Sequence, residues 1–350
     1  MKKALLTSAL LVLAASNAHA EIELGLGGYF RGYAGYADQA IDDLRETDFK
    51  RKSKIFFEGK TTYDNSLTVG FFSELFQENG TDNISGSYLY GEGPWGHLRL
   101  GDERGAPFIL QVHAPGADTN IDGRDIHISF INEGAADIDL DYRHSGLTSG
   151  FAYSTKLVYL TPDMHGLRAG VSFSPEVARL GTSDYTNGMD FDNEPDDFEN
   201  FTEAALRYEA TVAGVKAQLG GGYSMAGLEA NGGSFNDDYT EWNAGVALSY
   251  KGARVGAGYN TDNGARDSGG DTDNWVVGAD YAWDAYKVGV SHFISETEAD
   301  DEFKRTTAGV NYTYGPGLSF RGSVGLFDVQ AAGADENDGH FVALGTDVKF

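Results

Sequence analysis

Cysteine is absent from this chain of 350 residues, so no disulfide framework holds it together and stability must come from elsewhere. Long apolar runs are missing too. After residue 20, nowhere do about eighteen uncharged apolar residues follow one another, which leaves no helix able to cross a membrane. Positive charge is scarce: 26 Lys and Arg stand against 53 Asp and Glu, a balance that argues against nucleic acid as a partner. The hydrolase signatures G-x-S-x-G and H-E-x-x-H do not occur, which leaves an enzyme with little support among the eight histidines. A mean hydropathy of −0.35 reads as soluble or disordered, but 13% aromatic content contradicts disorder.

What the chain has is a leader, a rhythm and an interruption. Met1-Lys2-Lys3, the apolar run from Ala4 to Ala15 and Ala18-His19-Ala20 form the n-region, h-region and A-x-A site of a secretory signal, placing export signal and cleavage within residues 1–20. Losing Lys2 and Lys3 leaves 24 basic against 53 acidic residues, net −29. From Glu21 to Phe350 a module recurs about sixteen times: roughly ten residues alternating apolar with small or polar, closed by a turn. Trp242, Ala244, Val246, Leu248 and Tyr250 share one face, while Glu241, Asn243, Gly245, Ala247 and Ser249 share the other. Aromatic residues at both ends of the apolar face suit two membrane interfaces.

The predicted strand cores are 22–36, 53–63, 67–76, 84–91, 96–102, 154–161, 166–174, 201–211, 215–225, 240–250, 253–260, 274–283, 286–295, 303–314, 318–328 and 341–350. The expected fold is all-β: a 16-stranded antiparallel transmembrane β-barrel, one domain over residues 21–350, with both termini on the side of the short turns. Short turns such as Asp64-Asn65-Ser66, Ala213-Gly214 and Gly315-Pro316-Gly317 alternate with long acidic loops such as Asp262 to Asp273. A barrel of this size leaves an aqueous lumen that side chains cannot fill. The rhythm breaks once, at Glu103 to Tyr153. Within the break, Ile126, Ile128 and Phe130, and again Ile138, Leu140 and Tyr142, alternate as short strands do.

The terminal strand Phe341 to Phe350, with apolar residues at alternate positions and an aromatic last residue, resembles the closing strand of Gram-negative outer-membrane barrels. Together with the repeat and the long break, the whole mature chain resembles the general porin superfamily. Ala106-Pro107-Phe108 is the nearest approach to the enterobacterial Pro-Glu-Phe-Gly loop signature, so the likeness is to the wider superfamily of α-proteobacterial type. That resemblance implies that 103–153 folds into the lumen as a constriction loop. Basic wall residues, here Arg31, Lys60, Arg99, Arg168 and Arg321 from an inward set that includes Lys54, Lys216 and Arg254, would then face loop acids Asp118, Asp122, Asp125 and Glu133. It also implies a homotrimer packed near Leu24, Leu26, Phe30 and Ile55, a barrel closed by a link between the Glu21 amine and the Phe350 carboxylate, and assembly directed by Phe350.

The expected function is an outer-membrane channel for passive diffusion of ions and small hydrophilic solutes, weakly cation-selective because of the acidic excess. On that reading, neutralising Asp118, Asp122 and Asp125 lowers the preference more than neutralising Asp262, Asp267 and Asp271. The alternatives are a substrate-specific outer-membrane channel, an outer-membrane enzyme, and a soluble secreted acidic β-protein. No cofactor is expected. The acidic run Asp190, Asp192, Glu194, Asp196 and Asp197 is a candidate for loop-bound Ca²⁺, although no EF-hand spacing is present. Outer-membrane lipid and lipopolysaccharide phosphates are the expected surroundings.

Overall fold

The computed structural model describes residues 21–78, 81–118, 129–132, 143–144, 149–177, 194–331, 333 and 336–350. Residues 1–20, read above as an export signal, lie outside them. The first five strands are β1 (Ile22–Gln39), β2 (Thr47–Thr62), β3 (Thr68–Glu78), β4 (Thr81–Gly93) and β5 (Gly96–Asp102). Two short helices follow, α1 (Ala106–Leu110) and α2 (Ser149–Tyr153). Next come β6 (Thr155–Leu160), β7 (Leu167–Val177), β8 (Phe198–Val212), β9 (Val215–Leu228), β10 (Tyr239–Tyr250) and β11 (Ala253–Asp262). The last five are β12 (Thr272–Trp283), β13 (Tyr286–Thr297), β14 (Glu302–Gly315), β15 (Leu318–Gln330) and β16 (Asn337–Lys349). Each strand pairs antiparallel with its neighbours in sequence, and β1 pairs with β16, so the sheet closes on itself and has no free edge over the paired region.

Alternation sorts the strand residues onto two faces. Leu24, Leu26, Leu206, Val277 and Leu344 point outward and are exposed, while Asn243, Asn260 and Asn274 point inward in one cross-strand row. Two aromatic belts bound the outer apolar band. Trp242, Tyr259 and Trp275 line up near the long-loop ends of β10 to β12, with centroids 4.7 and 4.2 Å apart. Tyr281, Trp283, Tyr286 and Tyr312 line up near the short turns. Residues at positive φ set those turns: Ala213 and Gly214 between β8 and β9, Lys251 and Gly252 between β10 and β11.

All sixteen predicted cores coincide with observed strands, and the observed ones mostly run further toward the loops. The extensions, such as 47–52 on β2, lack clean alternation because ladder pairing with β1 holds them above the apolar band. Barrel closure needs a correction. Phe350 exchanges backbone hydrogen bonds with Gly28, its N–H donating at 3.1 Å and its carbonyl accepting at 3.0 Å. Glu21 lies seven residues away along β1, roughly 23 Å of extended chain, so the register keeps the expected amine-to-carboxylate link from forming. The first residues of β1 pair with β2 alone.

Candidate pore constriction

The connection from β5 to β6 turns inward as soon as β5 ends. Arg99 Nη1 donates to Glu103 Oε2 at 2.6 Å and sits over the Tyr88 ring, holding the first bend against the wall. Pro107 fits the first turn of α1, where its missing N–H costs nothing, and the Ala106 N–H donates to Ser172 Oγ at 2.8 Å. α1 packs on β7, β8 and β9, with Ala106 and Leu110 buried against Ala205. Residues 111–118 then run across the inside of the barrel from β9 to β15.

A row of inward-facing glycines provides the bed for this segment. A Cβ built at Gly170 would lie 2.9 Å from Ala106 Cβ, at Gly222 2.6 Å from Pro107 Cβ, and at Gly220 2.8 Å from Val112 Cγ2. One at Gly245 would overlap the Val112 carbonyl, one at Gly278 the Pro115 carbonyl, and one at Gly289 would lie 2.8 Å from the Ala117 nitrogen. Gly256 and Gly309 continue the row against Pro115 and Ala117. The ladder shows why these residues form one ring. Gly170, Ala205 and Gly222 are cross-strand partners; Gly220 with Gly245, Gly256 with Gly278, and Gly289 with Gly309 are the next pairs. Between groups the row moves two residues toward the short turns, as a level circuit does when strands are tilted and staggered. Side chains in this ring would hold the segment off the wall; glycine lets backbone meet backbone.

Asp118 ends the track. Its carboxylate is fully buried, accepts from Tyr33 Oη at 2.9 Å and Ser323 Oγ at 2.7 Å, and lies 3.5 Å from Arg321 Nη1. Arg321 also donates to Asp347 at 2.6 Å, and Arg31 Nε approaches the same carboxylate at 3.4 Å. The loop is thus tied to β1, β15 and β16, across the seam where the barrel closes. Further along, Phe130 packs over Gly35, and Lys50 Nζ donates to the Ser129 carbonyl at 2.5 Å. His144 is buried between Ser224 and Asn243, at 2.5 and 2.8 Å, and Phe151 of α2 sits among Phe198, Phe201 and Tyr239. Burial pushes the His144 imidazole down to about 3, with Glu203 opposing and Lys156 reinforcing the shift.

The residues predicted from sequence fall in several places. Arg31 and Arg321 meet at the Asp118 anchor and are buried. Arg99 starts the inward turn. Lys60 lies at the short-turn end of β2 beside Glu23 and Glu58, and Arg168 lies on β7 just to the short-turn side of the α1 seat; neither joins the Arg31–Arg321 cluster. Asp118, expected opposite the basic wall, lies 3.5 Å from Arg321 and is fully buried, so it acts as an anchor. Asp122, Asp125 and Glu133, like the strand-like pieces 126–128 and 138–142, lie outside the described residues. Lys54 pairs with Glu74, Lys216 with Glu209 and Arg254 with Asp280. Leu24, Leu26 and Phe30 are exposed on the outer face, with Ile55 half-buried beside them.

Asp190 and Asp192 also fall outside the description. Asp196 is buried, accepting backbone N–H groups from Ser234 and Phe235, so it clasps two loops. Glu194 and Asp197 sit beside it on the same loop, with the Glu194 N–H donating to Glu229 Oε2 at 3.2 Å.

Sequence reasoning missed the glycine ring, Tyr33, Ser323, Glu103 and Asp347. Gly245, Gly256 and Gly278 were readable as inward-facing, but the common level of the ring appears only once the register of eight strands, β7 to β14, is known.

A family model described as Gram-negative porin matches residues 7–332. No curated protein matches the chain. Among solved structures, the anion-selective porin from Comamonas acidovorans superposes with a TM-score of 0.63 at 16% identity, covering 94% of this chain and 100% of that one. A porin refined at 1.8 Å gives 0.60 at 18% identity, with coverage of 94% and 100%. A mutant porin of Rh. blastica gives 0.58 at 16% identity with the same coverage.

Proposed function

Because the chain belongs to the Gram-negative porin family and forms a multi-pass β-barrel channel of the outer membrane, not an enzyme, we propose that it passes small hydrophilic solutes by diffusion and prefers cations. The observation that carries the preference is where charge is left over. Bases on the inner wall are largely met by nearby carboxylates: Lys54 by Glu74, Arg99 by Glu103, Arg254 by Asp280, Lys216 by Glu209, Arg321 by Asp118 and Asp347. Acids in the long loops, including Asp42, Asp43, Asp237, Asp238, Asp267, Asp271 and Glu298, outnumber the bases beside them. A negative mouth over a nearly compensated wall concentrates cations at the entrance. The Comamonas acidovorans porin is named anion-selective, and a shared fold at 16% identity transfers no ion preference.

The segment 106–118 on its glycine bed sets the width of the passage in this reading. Exposed Leu24, Leu26 and Phe30 on β1 are proposed as part of a trimer contact. Neutralising Asp262, Asp267 and Asp271 together is expected to reduce the cation preference, measured as a bilayer reversal potential under a salt gradient. An unchanged potential counts against a mouth-set preference.

A further inference from the structure

We propose that the lumen holds an oxyanion site on the short-turn side of α1, built on Arg168 and Arg207 and suited to a small phosphate or carboxylate. The two arginines are direct cross-strand partners on β7 and β8, one inward row below the Gly170–Ala205 seat of the helix. Like charges placed opposite one another on neighbouring strands destabilise the pair, so the arrangement calls for something between them. Arg207 has Glu209 at 3.6 Å, but that carboxylate is already held by Lys216 at 2.7 Å and Gln218 at 2.6 Å. Arg168 has no carboxylate partner among the described residues and is exposed to the lumen.

The pair opens into a cleft of about 690 Å³ roofed by Ile109 and Leu110 of α1, with Arg99 also on its lining. Its other acids are occupied locally: Glu92 contacts His97 at 3.0 Å, and Asp163 accepts the Gly166 N–H of the β6–β7 turn at 2.8 Å. An oxyanion with two or more oxygens can take paired N–H donors from both guanidinium forks at once, which turns a repulsive pair into a chelate. The site is separate from the Asp118 anchor and from the acidic mouth, so a cation-preferring channel can still retain an anion on its far side.

The test reconstitutes the full mature chain in planar bilayers and titrates inorganic phosphate, then acetate, against chloride at constant ionic strength. Current in chloride alone reports whether a channel forms, so failure of the channel reading is seen separately from failure of the site. Wild type is expected to show a saturable change in single-channel current with phosphate; a matching change with acetate extends the site to carboxylates, and its absence restricts it to phosphate. R168Q is expected to need roughly tenfold more phosphate for the same change. R168K, which keeps charge without the fork, should fall between. Phosphate that acts no differently from chloride, or an R168Q channel that responds as wild type does, overturns the site. R168Q alters an exposed, unpaired side chain, so the comparison does not depend on a buried substitution folding.

Discussion

Asp118 shows how one side chain sets the end of the loop. Its buried carboxylate satisfies Tyr33, Ser323 and Arg321, so removing it leaves two hydroxyls without their acceptor in a closed space and Arg321 with Asp347 alone. Asp118→Ala is expected to cost about 3 kcal/mol in barrel unfolding and to raise single-channel conductance as the loop end comes free. Loss of stability with unchanged conductance would separate the anchor from the pore. His144 acts differently, because it is buried neutral. Its folded value near 3 lies below the ordinary 6.5, so between those limits the unfolded chain binds more protons than the folded one. Stability therefore drops as pH falls from 6.5 toward 3. The groups facing it are Ser224, Asn243 and Glu241, with Glu203 and Lys156 behind. In His144→Gln the melting temperature should depend less on pH across that window than in wild type, and parallel pH curves would refute the assignment.

The glycine ring decides where segment 106–118 can lie. Gly278→Val would place a branched side chain where the Pro115 carbonyl rests, forcing the segment into the lumen. Conductance is expected to fall severalfold, whereas Gly315→Ala, with open space around it, should leave the current unchanged. Equal currents in all three chains would mean the segment does not narrow the pore. The strands themselves were legible in the sequence, because a period of two with a buried or lipid-facing side needs no partner to be read. Position within the circuit was not. Gly220, Gly256 and Gly289 look like ordinary inward glycines until pairing shows each two residues below its neighbour's row. The anchoring parts of Asp118 and Asp196 stayed hidden for a related reason: acidity is visible in sequence, and burial is not. Arg31 and Arg321 share a carboxylate, Asp347, on the polar face of the terminal strand, and alternation puts it on that face without naming its partners.

At the scale of the whole molecule, closure supplies what cysteine and long apolar helices do not. Every strand is paired on both sides, and the outer face meets lipid through Leu, Val and two aromatic belts. The inner wall carries most of its cations beside carboxylates, Arg168 being an exception, and the acidic excess gathers in the long loops. A preference arising at the mouth acts through solvent and must weaken as salt shortens the screening length from about 10 Å at 0.1 M to about 3 Å at 1 M. The most direct measurement is the reversal potential of the mature chain in a planar bilayer under a potassium chloride gradient, taken at low and at high mean salt. The potential should mark potassium as the more permeant ion and shrink toward zero at high salt; a potential marking chloride as the more permeant ion would contradict the assignment.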